Sequence, residues 1–284
     1  MTTMNFSTRL ARAEAQNDSL LCVGLDPDPA RFPGAWQHDP ARIFDFCATI
    51  VDATKDLVIA FKPQIAYFAA QRAEDQLELL IAHIHQAAPD VPVILDAKRG
   101  DIGSTAEQYA HEVFERYRAD AVTLSPFMGF DSIEPYLRYD GKGVILLCRT
   151  SNAGGADLQG QTLANGDTVY EHIARLAQGD WNRTGQLALV VGATFPAELE
   201  RVRELAPTLP LLIPGIGAQG GDAAATVRAA WRADASGHTV APVIVSSSRA
   251  VLYAGRGNDF AEAARNAALA TRAELNAARR PAAA

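Results

Sequence analysis

The chain has little lysine. Its 26 basic residues are 22 arginines and only Lys55, Lys62, Lys98 and Lys142. Where arginine is the default cation, a retained lysine marks a place that needs what arginine cannot do, such as releasing a proton near neutral pH. Cysteine is also scarce: Cys22, Cys47 and Cys148 are odd in number, scattered and without CxxC spacing, which excludes a disulfide framework and a zinc knuckle. No stretch approaches the roughly 18 uninterrupted apolar residues of a membrane span, and the N-terminal MTTMNFSTRLARAEAQNDS has no apolar signal core. These absences predict a cytoplasmic protein with no membrane partner. The net charge of −7, with no basic run, argues against a nucleic-acid surface.

What is present is a rhythm. Eight apolar runs, at 20–25, 57–62, 92–97, 121–125, 143–148, 187–192, 209–215 and 242–246, alternate with amphipathic stretches such as 41–54, 74–88, 132–137, 196–206 and 222–235. Near-continuous apolar strands separated by helices are expected of parallel strands buried on both faces. The pattern predicts an α/β chain, a single (β/α)8 TIM barrel over residues 1–284, with its strands across about 20–246 and a C-terminal helix and tail at 258–284. A doubly wound open sheet is the competing arrangement, but LDPDPARFP follows the first strand where that fold would carry GxGxxG. The Gly/Asn-rich stretches 149–168 and 178–186 read as functional loops.

In a barrel the C-terminal ends of the strands face the active site. Those ends carry Asp26, Lys62, Asp96, Lys98, Ser125, Thr150, Ser151, Gln219 and Arg249, with Asp101 just beyond the third. Two of the four lysines therefore fall on one predicted rim. In ILDAKRGDIGSTAEQYA, Asp96 and Lys98 are two apart on a strand end and point the same way. A rim of Lys62, Asp96, Lys98 and Asp101 would alternate in sign and hold each group ionised; the plainer reading is an ion-pair lattice that only fixes geometry. The second signal is LLIPGIGAQGGDAAATV, whose Gly215, Gly217, Gly220 and Gly221 precede a helix. Together with Ser246–Ser247–Ser248–Arg249 after the last strand, it fits the phosphate site that barrels build from loops seven and eight, with Arg249 offering two parallel hydrogen bonds to a dianion. Ordinary tight turns would also explain such glycines.

Other conspicuous residues take the plainer reading. His83 and His85 cannot share a helix face as metal ligands and read as solvated surface, and His38, His111, His172 and His238 are scattered, so no metal site is predicted. Trp36, Trp181 and Trp231 read as packing anchors. Lys55 and Lys142 read as a solvated helix end and turn, and Glu107 and Glu112 as helix surface.

The segments LCVGLDPDP, AFKPQIAYF, ILDAKRGDIGSTA, LSPFMG, LLCRTSN, PGIGAQGG and VSSSR, in this order over residues 20 to 256, resemble the orotidine 5′-phosphate decarboxylase family, most closely its longer bacterial branch. D-x-K-x-x-D is the most specific of these motifs. The resemblance implies a homodimeric barrel that uses no cofactor and converts orotidine 5′-monophosphate to uridine 5′-monophosphate (UMP) and CO2, the last step of de novo UMP synthesis. It implies that Asp26 binds a ribose hydroxyl, Lys62 bridges ribose and Asp96, Asp96 sits beside the departing carboxylate, and Lys98 protonates C6. It further implies that Asp101 and Thr105 enter the neighbouring subunit's site, that Ser151 reads the pyrimidine edge, and that Gln219 closes over a phosphate held by Arg249 with the Gly217 and Ser248 loops. Two other readings compete with it. One is another phosphosugar-binding barrel lyase, epimerase or Schiff-base aldolase. The other is a non-catalytic phospholigand-binding barrel.

Overall fold

The computed structural model describes residues 4–216 and 221–279. Eight parallel strands form one sheet: β1 (Leu21–Leu25), β2 (Ala60–Pro63), β3 (Ile94–Arg99), β4 (Ala121–Leu124), β5 (Gly143–Arg149), β6 (Leu187–Val191), β7 (Leu211–Pro214) and β8 (Val243–Ser247). Their order is β2-β1-β8-β7-β6-β5-β4-β3. Single bridges, Phe61 to Val93 and Gln64 to Asp96, bring β3 back to β2 and nearly close the barrel. Helices cover the outside, among them Ile43–Thr54, Glu74–Ala87, Val169–Gln178, Pro196–Leu205 and the long Phe260–Arg279.

The two-residue period of a strand decides what each residue meets. Leu21, Val23 and Leu25 of β1 point outward into the layer beneath the helices, a cluster that includes Phe46, Ile50, Phe68, Leu77 and Leu199. The alternate residues point inward: Cys22, Ala60, Ile94, Ala121, Ile145, Ala188 and Ile244 fill the lower barrel, all of them 0% exposed. Two residues further along several of the same strands, the inward positions become Lys62, Asp96, Thr123 and Ser246. The barrel interior thus changes from apolar at its base to charged and hydroxylic at its upper end.

The base is closed by a helix, Phe6–Asn17. Asn5 caps it by accepting from the Thr8 N–H (2.8 Å), and it stops at Asp18 in the left-handed region (φ 42°). Phe6, Leu10 and Ala13, spaced four and three apart, share one face and join the inner cluster. Gly143 is required beneath it: a Cβ there would lie 2.3 Å from the Phe6 ring. The buried Asp120 fastens the helix, taking Arg9, His85 (3.0 Å) and the Val93 N–H (2.8 Å). Burial alone would raise the pKa of Asp120, but His85 and Arg9 bring it below the ordinary carboxylate value.

Several expectations need correction here. His83 and His85 are half-buried and meet different carboxylates, Asp52 and Asp120, because their positions on the helix turn toward different neighbouring elements. Lys142 is half-buried too. It donates to the Ala119 carbonyl (2.7 Å), and burial pushes its pKa down. Glu112 is a part-buried partner of Arg99 (2.8 Å), since the backbone there widens into a π-type turn at Glu112–Arg116. Lys55 and Glu107 do lie on the surface, in exposed ion pairs with Asp52 and Arg138. Trp36 packs edge-on against Phe260, Trp181 leans on Phe130, and Trp231 donates to Thr239 (3.0 Å).

Candidate active site

The inward column opens into a cavity of about 730 Å3 at the C-terminal ends of the strands. On one wall stand Lys62, Asp96 and Lys98. Lys62 Nζ is 2.9 Å from Asp96 Oδ2, and Lys98 Nζ is 2.7 Å from Asp96 Oδ1. Lys62 and Asp96 are buried, whereas the Lys98 side chain is 48% exposed and can reach a bound molecule. Burial opposes charge on both buried groups, but their mutual attraction outweighs it. The Asp96 and Asp26 carboxylates raise the pKa of Lys62, and Lys62 and Lys98 hold Asp96 well below the usual carboxylate range. Lys62 and Asp96 are therefore both charged at neutral pH.

The wall has an irregular backbone. The register of β3 against β4 shifts between Leu95 and Arg99, and Lys98 itself has φ 45°, in the left-handed region. A lysine there carries steric strain of about 1–2 kcal/mol. The Thr123 hydroxyl sits inside this kink. It donates to Asp96 Oδ1 (2.9 Å) and accepts the N–H groups of Ala97 and Lys98 (3.0 Å each).

Beside Lys62, Asp26 follows the neighbouring strand β1, with its Oδ1 buried and without a hydrogen-bond partner among the described residues. The turn carrying it is pinned from outside by Tyr253, whose hydroxyl accepts from the Asp28 N–H (2.7 Å) and donates to the Asp26 carbonyl (2.8 Å). Ser248 and Arg249 line the cavity where β8 ends. Gly24 makes room for that turn, since a Cβ there would lie 1.9 Å from Ser248 Oγ. Ser151 lines the cavity from the loop after β5, packed so closely on Gly192 that a Cβ there would lie 2.8 Å from the serine. This loop is ordered from within. Gln159 accepts from the Thr150 N–H and donates to its Oγ1 (2.9 Å each), and Arg149 below pairs with Glu198 (2.6 Å) under the Phe195 ring.

The structure thus brings Asp26, Lys62, Asp96, Lys98, Ser151, Ser248 and Arg249 to one cavity. It does not bring Asp101 or Thr105 there. Asp101 accepts from the Ile102 N–H (2.8 Å) and Thr105 is exposed, so within one chain the charged rim has three members rather than four. Gly217 and Gln219 lie outside the described residues. Residues that the sequence reading passed over are Thr123, Tyr67, Asn152 and Gln159, which also line the cavity. Thr123 is hidden because a threonine within AVTLS reads as an ordinary β-branched strand former. All three thiols are buried, and burial raises their pKa values, that of Cys22 to about 12, so none is poised as a thiolate. No group of three metal-ligating side chains converges among the described residues, and no helix there is long and apolar enough to cross a membrane.

Comparison with known proteins bears on the family and the fold. Residues 19–265 match the family model described as orotidine 5′-phosphate decarboxylase / HUMPS family. The chain is 75% identical over 279 residues to a Methylibium petroleiphilum protein named orotidine 5′-phosphate decarboxylase, covering 97% of this chain and 100% of that one. A solved Leishmania donovani OMP decarboxylase superposes with TM-score 0.80 at 37% identity, covering 97% of this chain and 99% of that one. A Leishmania donovani UMP synthase superposes with TM-score 0.85 at 39% identity over 98% of this chain, which spans only 57% of that longer protein. On the strength of a family match running through all eight strands, the chain belongs to the orotidine 5′-phosphate decarboxylase / HUMPS family.

Proposed function

We propose that this chain decarboxylates orotidine 5′-monophosphate to UMP and CO2, the closing step of pyrimidine nucleotide synthesis. The observation that carries this reading is the Lys62–Asp96–Lys98 array, with the half-exposed Lys98 lining the cavity of about 730 Å3. The bond from C6 to the carboxyl carbon breaks, CO2 leaves, and the electron pair stays on C6. The ring cannot delocalise that pair, so an ammonium held in place beforehand is the stabilising element. Lys98 then gives its proton to C6 and recovers one from solvent. Arginine would supply the charge but not the proton. Asp96 keeps Lys62 charged and aligns both lysines.

The rest of the cavity positions the nucleotide. Arg249 and Ser248 suit a phosphate at the end of β8, joined by Gly217 and Gln219. Asp26, with its unpartnered Oδ1, suits a ribose hydroxyl, and Ser151 suits the pyrimidine edge. Enzymes lower barriers by up to about 23 kcal/mol, which one lysine does not supply, so phosphate binding contributes closure and orientation. Asp101 and Thr105 complete the site of a second copy in a homodimer. Support for this comes from their position outside their own cavity, next to the exposed Ile102 (54%) and near Gly100, against which the exposed Met128 (42%) lies.

The test is the fall in absorbance of orotidine 5′-monophosphate with purified enzyme in excess chelator. Turnover is expected; its absence sinks the proposal, and turnover only on adding metal favours a metal-dependent phosphosugar lyase. Lys98→Ala should abolish decarboxylation and still bind UMP. Mixed Lys98→Ala and Asp101→Ala dimers, with subunit exchange verified, should regain part of the activity, and absence of rescue would place Asp101 outside the shared site.

A further inference from the structure

The three hydrogen bonds at Thr123 use everything its hydroxyl has, one donor and two acceptor lone pairs. The donor goes to Asp96 Oδ1 (2.9 Å), the same oxygen that Lys98 Nζ contacts at 2.7 Å. The two lone pairs take the backbone N–H groups of Ala97 and Lys98, where β3 leaves register with β4 and its ladder offers no regular partner. Thr123 is 1% exposed, so without the hydroxyl those two donors and that carboxylate oxygen would lack its contribution where water is scarce. The arrangement also accounts for the left-handed backbone at Lys98 (φ 45°), which a lysine adopts only when its surroundings enforce it.

We propose that Thr123 is a positioning residue for the proton donor: by clamping the Ala97–Lys98 backbone and Asp96 Oδ1 through one hydroxyl, it sets where Lys98 Nζ stands. Its effect on turnover rests on the decarboxylation reading above. Thr123 acts through Lys98 and Asp96, so its removal should fall on the chemical step rather than on nucleotide binding.

Thr123→Val keeps the shape and deletes the hydroxyl, whereas Thr123→Ser keeps the hydroxyl. A misplacement on the order of 1 Å costs up to about 100-fold in rate, so Thr123→Val should lower kcat by about 10- to 100-fold while UMP affinity stays within about 3-fold. Thr123→Ser should remain within about 5-fold of wild type in kcat. The proposal is overturned by a Thr123→Val kcat within about 3-fold of wild type, by UMP affinity falling in step with kcat, or by a Thr123→Ser kcat more than about 5-fold below wild type. The last comparison stands even where Thr123→Val fails to fold. Should the wild-type chain not decarboxylate at all, the reaction assignment falls. The clamp is then judged separately by crystal structures of wild type and Thr123→Ser, or of Thr123→Val where it folds. Loss of the left-handed φ at Lys98 and of its contact to Asp96 on removing the hydroxyl is expected. Their persistence, or their loss in Thr123→Ser, overturns it.

Discussion

Lys62→Met removes an ammonium from the most buried part of the charged wall and leaves most of its stem. In the wild type Lys62 and Asp96 are 5% and 7% exposed and meet at 2.9 Å. After the substitution Asp96 keeps Lys98 and Thr123 on Oδ1, but Oδ2 faces a thioether and the Asp26 carboxylate is no longer balanced. Breaking a buried pair by removing one partner costs about 3–5 kcal/mol, and the surviving Lys98 contact places this case near about 3 kcal/mol. For a chain of this size that lowers Tm by about 5–10 °C. Most of the penalty is a stranded charge, so adding Asp96→Asn should restore about 2 kcal/mol. The pH dependence follows from the two shifts. The folded pKa of Asp96 is depressed, so its contribution is present above its unfolded value of about 3.9 and is lost as pH falls through the folded one. That of Lys62 is raised, so its contribution is present below about 10.4 and is lost as pH rises through the folded value. The gap between wild type and variant should be widest between about pH 5 and 10 and shrink in acid. Urea denaturation of wild type, single and double variants across that range is the assay. A loss under about 1 kcal/mol, or a double variant no more stable than Lys62→Met, would refute the argument.

Two further outcomes are expected. At Lys98, where φ is 45°, Gly should be more stable than Ala by about 0.5–1 kcal/mol, the reverse of the usual order, because relief of the left-handed conformation exceeds the added chain entropy; thermal melts of the two variants decide it. Glu171 closes the capping box of the helix Val169–Gln178, and its hydrogen bond from Arg201 brings its pKa down to about 2. Glu171→Gln should therefore cost about 1 kcal/mol at pH 7, where the pair is partly screened, and the difference should vanish on acidification from pH 4.5 toward 2; urea midpoints at pH 7 and 3 test this.

The strands were legible because parallel barrel strands are apolar on both faces, and each observed strand overlaps the run that predicted it. The bounds slipped where charge interrupts the pattern. The third strand extends to Arg99, beyond the expected 97, since Asp96 and Lys98 continue it with polar side chains. The helix Phe6–Asn17 passed unnoticed because its apolar face is only Phe6, Leu10 and Ala13 among charged residues. Asp96 and Lys98 could be paired because alternation along a strand is local information, and Lys62, on β2, joined them through the rule that barrel strand ends share one rim. Thr123 could not, because its meaning lies in a register shift between two strands, and Lys142 was misjudged because only the folded chain brings Asp120 and Arg9 against it.

The closed base also governs traffic. With Phe6, Leu10 and Ala13 stoppering the barrel and the inner cluster buried, the described residues leave no back door on that side. A molecule held in the cavity beside Lys98 would come and go past the upper loops. A gas released there would precede or accompany the nucleotide through one doorway, and a fresh ligand would wait for it to clear. Opening the floor, rather than altering the charged wall, is the change that would turn this dead-end chamber into a conduit.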